Sequence, residues 1–170
     1  ARARKAALFI SIHADSIPRS EGQAEGASVY TLSAKASDAE AGRLAEVENK
    51  SDVIAGVDLT SEPNDVASIL IDLAQRETKA FSLQFARDLV GEFKGSTRIH
   101  QHPLKAAGFI VLKAPDVPSV LVELGYMSTK DDLKNLMSKE WRSRTADSVA
   151  HAVDAFFAQR VAGRAGAGGN

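Results

Sequence analysis

The sequence predicts an α/β domain: a mixed, mostly buried sheet flanked by helices. Three observations carry this. Short apolar runs at Ala7–Ile12 and Val120–Leu124 have the length and continuity of strands covered on both faces. Long stretches with apolar residues spaced by three and four lie between and after them, as amphipathic helices require. Strand-like and helix-like segments also alternate along the 170 residues, which suits one domain with a substantial core.

The first run, Ala7-Leu8-Phe9-Ile10-Ser11-Ile12, ends in His13-Ala14-Asp15-Ser16 and a polar loop holding Pro18, Gly22 and Gly26. Ala27–Leu32 is a second strand, since Val29, Tyr30 and Thr31 favour extended backbone. Ser37-x-x-Glu40 has capping-box spacing and opens a helix to about Asp52. That helix is acidic, with Glu40, Glu46, Glu48 and Asp52, and poor in apolar residues. Gly56 to Asn64 has loop chemistry, and a long helical pattern then runs from about Asp65 to Phe93. Its apolar side passes from Ile69, Leu70 and Leu73 to Phe81, Phe85 and Leu89, with a break allowed near Gln75–Thr78. Phe109–Leu112 and Val120–Leu124 read as two more buried strands, joined through Pro115 and Pro118. Ser128-x-x-Asp131 marks another helix start. A last helix begins near Glu140 with an inward face of Ala146, Val149, Ala150, Val153, Phe156, Phe157 and Val161. Residues 162–170, rich in Gly and Ala, read as a flexible tail.

Composition excludes several classes. With 21 Lys+Arg against 22 Asp+Glu, the net charge of −1 argues against binding driven by phosphate neutralisation. No apolar run approaches the roughly 20 residues that span a bilayer. The absence of cysteine removes thiol nucleophiles, disulfides and Cys-type zinc sites. There is no phosphate-cradling glycine loop, and Ser16, Ser119 and Ser128 lack a nucleophile-elbow context.

Two residues put a metal-capable polar group at the end of a buried strand: His13 and Glu123. A carboxylate within Val120-Leu121-Val122-Glu123-Leu124 is costly to bury unless it is paired or faces a site. Strand ends in open α/β sheets are where ligands bind. A satisfied structural histidine and a salt-bridged glutamate are the competing readings. His100 and His102 fall in a segment read as a polar loop, where they would make at most a weak metal pair, and His151 reads as part of a helix surface.

Four blocks in order, Phe9-Ile10-Ser11-Ile12-His13-Ala14-Asp15, Gly26-Ala27-Ser28-Val29-Tyr30, Ala107-Gly108-Phe109-Ile110-Val111-Leu112 and Val117 through Ser128, resemble the zinc-dependent N-acetylmuramoyl-L-alanine amidases of the amidase-3 type. The resemblance runs from about Ala6 to about Phe157. It implies hydrolysis of the amide between N-acetylmuramic acid and L-alanine in peptidoglycan, with His13 a ligand of Zn²⁺ and Glu123 the catalytic carboxylate. In that family a Gly-His-Gly-Gly segment and a Glu supply further ligands from before the strand matched by Ala7–Ile12. The sequence therefore reads as residues 1–161 of a catalytic domain lacking its N-terminal strand and helix, with any signal peptide further upstream. Residues 34–78 are similar to the regulatory insertion of division-associated periplasmic amidases, in which a helix occludes the zinc cleft until a LytM-type activator binds. On that resemblance Glu48 is the inhibitory zinc ligand, with Glu46 the alternative, and Ile69, Leu70 and Leu73 offer the activator an apolar face. A cell-wall or division-partner binding module without catalysis is the rival reading.

Overall fold

Strands β1 (Phe9–His13) and β4 (Ser119–Glu123) form where the two continuous apolar runs stand, and they pair in parallel with His13 opposite Glu123. The computed structural model describes residues 1–17, 24–54 and 68–167; within these, the side chains of Arg2, 53–54, 68–74 and 163–167 are outside the description. The expected loops at Pro18–Gly22 and Gly56–Asn64, the side chains of Ile69, Leu70 and Leu73, and the last three residues therefore lie outside the described set. Strand β2 (Ala27–Leu32) runs antiparallel to β4 and parallel to β3 (Ile99–Ala107), giving a mixed sheet in the order β1-β4-β2-β3. Helices α1 (Ala39–Ile54), α2 (Ser68–Phe93), α3 (Lys130–Met137) and α4 (Lys139–Ala167) complete the order of elements.

The alternation of side chains along the strands sorts residues into two packed layers. On one face Val29, Val120 and Val122 bury against Phe85, Leu89 and Phe93 of α2 and Ala152 and Phe156 of α4. On the other, Tyr30 and Leu121 bury against Ala41, Leu44 and Ala45 of α1, together with Phe109 and Leu112. Glu123 follows Leu121 by two residues, so it faces the α1 layer, and His13 shares that face through its register with Glu123. The end of the sheet beneath α1 is thus where the site residues emerge.

Several sequence expectations are corrected. Phe109–Leu112 is not a strand: Ile110–Leu112 forms a short 3₁₀ turn, and Phe109 and Leu112 are apolar because they fill the α1 layer. A short apolar run signals burial, and periodicity alone does not say in which conformation. The strand lies just upstream, in β3, where His100 and His102 stand on a sheet edge rather than in a loop. The edge tolerates Pro103, which falls within the register irregularity between the pairs Ala27–Ile99 and Val29–Leu104. Helix α2 continues unbroken through Gln75–Thr78, and the α4 backbone is helical to Ala167, past the predicted end at Val161. The buried face of α4 is also rotated. Trp141, Thr145, Ser148, Ala152 and Phe156 point inward, while Ala146 and Ala150 are exposed. Trp141 and Ser148 can face inward because partners await their polar atoms. Trp141 Nε1 donates to Thr97 Oγ1 at 2.9 Å, and Ser148 Oγ donates to Ser96 Oγ at 2.7 Å.

Two glycines and one buried carboxylate shape the chain around the site. Asp132, on α3, accepts backbone N–H bonds from Gly26 at 2.9 Å and Tyr126 at 3.1 Å, tying the entry of β2 to the exit of β4. Gly125 turns under this carboxylate at φ +146°, and an added Cβ would meet Asp132 Cβ at 3.1 Å. Gly26 has φ +79°, and a Cβ there would sit 2.7 Å from the Ile99 carbonyl carbon. Gly26→Ala is expected to destabilise the fold by at least about 2 kcal/mol in urea unfolding, because left-handed strain and a backbone clash add.

Candidate metal and catalytic site

His13 closes β1, and the chain then bends through Ala14 and Asp15 alongside the turn that leaves β4. Leu124 N donates to His13 O at 3.0 Å, and Met127 N donates to Asp15 O at 2.7 Å. These bonds carry Asp15 over Glu123, whose Oε1 accepts the Asp15 N–H at 2.9 Å. From the other side α1 lowers Glu48, bringing Oε2 to 3.2 Å from His13 Nδ1. The opposite ring nitrogen, Nε2, is 2.7 Å from Ser11 Oγ, two residues back on the same strand face. A hydroxyl on one nitrogen holds the ring so that the other faces the carboxylates.

The electrostatics describe a place short of positive charge. Glu123 is fully buried. Burial, then the Asp15 charge beside it, push its carboxyl up to about 9; the Asp15 backbone N–H opposes this, and Glu48 adds to it. Glu48 is pushed up to about 7, first by burial, then by the Asp15 charge and a hydrogen bond with Asp15, then by Asp52. Glu123 Oε2 and Asp15 Oδ2 are buried without a hydrogen-bond partner. His13, Asp15 and Glu48 each present one donor atom, all within 4.8 Å of one another. An imidazole, crowded carboxylates and orphaned buried oxygens fit a divalent cation; a nitrogen and oxygen donor set of this kind suits Zn²⁺.

The structure therefore brings together His13, Glu48 and Glu123, which sequence reasoning singled out, and separates the others. Glu46 is exposed on the far side of α1. Glu48, by contrast, is half-buried and turned inward, so of the two candidates it is the one that reaches His13. His100 Nε2 lies 3.6 Å from Glu40 Oε2, and His151 is on the surface 3.9 Å from Glu92. Asp15 received no role from the sequence. The available signal was its position two residues after a histidine at a strand end, where both can turn to one spot.

Residues 1–155 match the family described as N-acetylmuramoyl-L-alanine amidase. The chain is 35% identical over 159 residues to N-acetylmuramoyl-L-alanine amidase AmiC of Escherichia coli O6:H1, covering 93% of this chain and 37% of that protein. It is 36% identical over 151 residues to AmiA of Escherichia coli K12, covering 88% and 52%. It thus spans about half or less of the length of these curated relatives. Among solved structures, the amidase Ami1 of Mycobacterium smegmatis superposes with a TM-score of 0.57 at 21% identity, over 93% of this chain and 57% of that one, which establishes a shared fold. With residues 1–155 of its 170 matched to that family, the chain belongs to the amidase-3 type N-acetylmuramoyl-L-alanine amidases.

Proposed function

We propose that this chain is the part of a zinc-dependent peptidoglycan amidase that cleaves the bond between N-acetylmuramic acid and L-alanine. The observation that carries this reading is the meeting of His13, Asp15, Glu48 and Glu123 at one end of the sheet, with two buried carboxylate oxygens left unpartnered. His13, with Asp15 or Glu48, would hold the ion. Zinc, when bound, supplies Lewis acidity toward water and the amide carbonyl. Glu123 handles the proton. Its Oε1 is engaged by the Asp15 N–H, so Oε2 is the atom free to take a proton from attacking water and return it to the leaving amine.

In this reading residues 1–161 act as one catalytic domain, and residues 34–78 are its regulatory insertion. Glu48, whose Oε2 lies 3.2 Å from His13 Nδ1, would take the ligand position that catalytic water needs. A LytM-type activator would lift α1 away, using the segment that contains Ile69, Leu70 and Leu73 as its foothold. The setting would be the periplasm, during separation of daughter cells. No helix among the described residues is long and apolar enough to cross a membrane.

The test is metal content and muropeptide release, measured on this chain and on one extended upstream. Zinc and release in the extended form support the amidase reading. Neither property in either form favours a binding module without catalysis. Glu48→Ala is expected to raise release without activator by about 5- to 50-fold, the scale of a single regulatory coupling. Unchanged basal release would take Glu48 out of the inhibitory role.

A further inference from the structure

Helix α1 rests on the sheet through apolar contacts near its start and polar contacts further along. Its inward stripe, at spacings of three and four, is Ala41, Leu44, Ala45, Glu48, Asn49 and Asp52. Among the described side chains of this stripe only the first half is apolar, and Val47 in the second half is 55% exposed. Where an apolar anchor would be expected, Asn49 stands instead. Its Nδ2 donates to Gly108 O at 2.9 Å, and its Oδ1 accepts the Ile110 N–H at 2.8 Å. One planar amide thus grips two backbone groups of a single segment, the pairing a neighbouring strand would make. Such a two-point contact fixes orientation as well as distance. The other end of α1 is held by Lys105, whose buried Nζ lies 2.8 Å from Glu40 Oε1 and 3.5 Å from Asp38 Oδ2.

We propose that Asn49 is a positioning residue: its grip on the Gly108–Ile110 backbone sets the rotation and depth of α1, and so places the adjacent Glu48 on His13. Lys105 tethers the N-terminal end, so loss of the Asn49 contact frees the half of α1 that carries Glu48 while leaving the helix attached. This rests on the reading of α1 as a cover over a zinc site.

The experiment compares Asn49→Ala, Asn49→Asp and Glu48→Ala with wild type in the full-length gene product. It follows hydrogen exchange of α1 amides and the rate at which a chelator strips zinc. Asn49→Ala is expected to speed exchange over residues 46–52 by roughly tenfold and zinc loss by roughly fivefold, with α2 and α4 unchanged. Asn49→Asp keeps the acceptor for Ile110 N but loses the donor to Gly108 O, and should fall between. Wild-type behaviour of Asn49→Ala overturns the proposal. So does looser α1 exchange with unaltered zinc loss, and so does faster exchange throughout α2 and α4, which would mark a general structural role. If Glu48→Ala speeds zinc loss and Asn49→Ala does not, the positioning role falls while the cover stands. If Glu48→Ala changes neither zinc loss nor basal release, the cover itself is wrong.

Discussion

Glu123→Gln is expected to lower amide hydrolysis by about 10²- to 10⁴-fold while leaving the divalent ion bound. The amide keeps the size of the carboxylate and can still accept the Asp15 N–H, so geometry is preserved and only proton transfer is lost. Parallel metal analysis and turnover on the purified variant decide the matter. Loss of folding, or turnover near wild type, would make Glu123 a structural residue. A second readout has an unusual sign. In the metal-free protein the carboxyl is held up at about 9, above its ordinary 4.5. Between those values the folded state keeps a proton that the unfolded state has released, so its contribution to stability falls as pH rises. Glu123→Gln removes that penalty. With chelator present, the variant should match wild type near pH 4.5 and exceed it by on the order of 2–4 kcal/mol at pH 7.5. A carboxylate buried among other carboxylates is a residue whose neutral replacement should stabilise the fold. Urea titrations at the two pH values test this, and equal stability at pH 7.5 would contradict it.

His13→Ala is expected to weaken zinc binding by on the order of 10²-fold or more, because it removes the only nitrogen donor in the cluster of His13, Asp15 and Glu48. The carboxylates that remain offer oxygen alone, a set better suited to magnesium or calcium. Zinc that binds the folded state raises the melting temperature by mass action. The shift on adding zinc should therefore shrink sharply in the variant, together with its affinity in calorimetry. An undiminished shift would place the ion elsewhere. The metal-free variant itself should melt close to wild type, since His13 is half-buried at the end of an edge strand and its ring bonds are to Ser11 and Glu48.

What the sequence determined by itself was whatever depends on neighbours along the chain. The continuous apolar runs that became β1 and β4, and the four-residue spacing of Phe81, Phe85 and Leu89, are local patterns that burial imposes. Glu123 stood out for the same reason, as a charge in a run too apolar to carry one without cause. The ordered blocks around His13 and Glu123 carry the family resemblance in the sequence itself, and the family match bears it out. Tertiary structure decided the rest, because the deciding partners are distant in sequence. A polar stretch with a proline became β3 only because β2 lay beside it and the far edge stayed open. Phe109–Leu112 became a turn because its apolar side chains found α1 rather than a neighbouring strand. Glu48 rather than Glu46 turned inward because Leu44 and Asn49 fix the rotation of α1. Asp15 joined the site because two loops, closing β1 and β4, hydrogen-bond across to each other. Local patterns report that a residue is buried; only the assembled sheet and its covering helix decide against what.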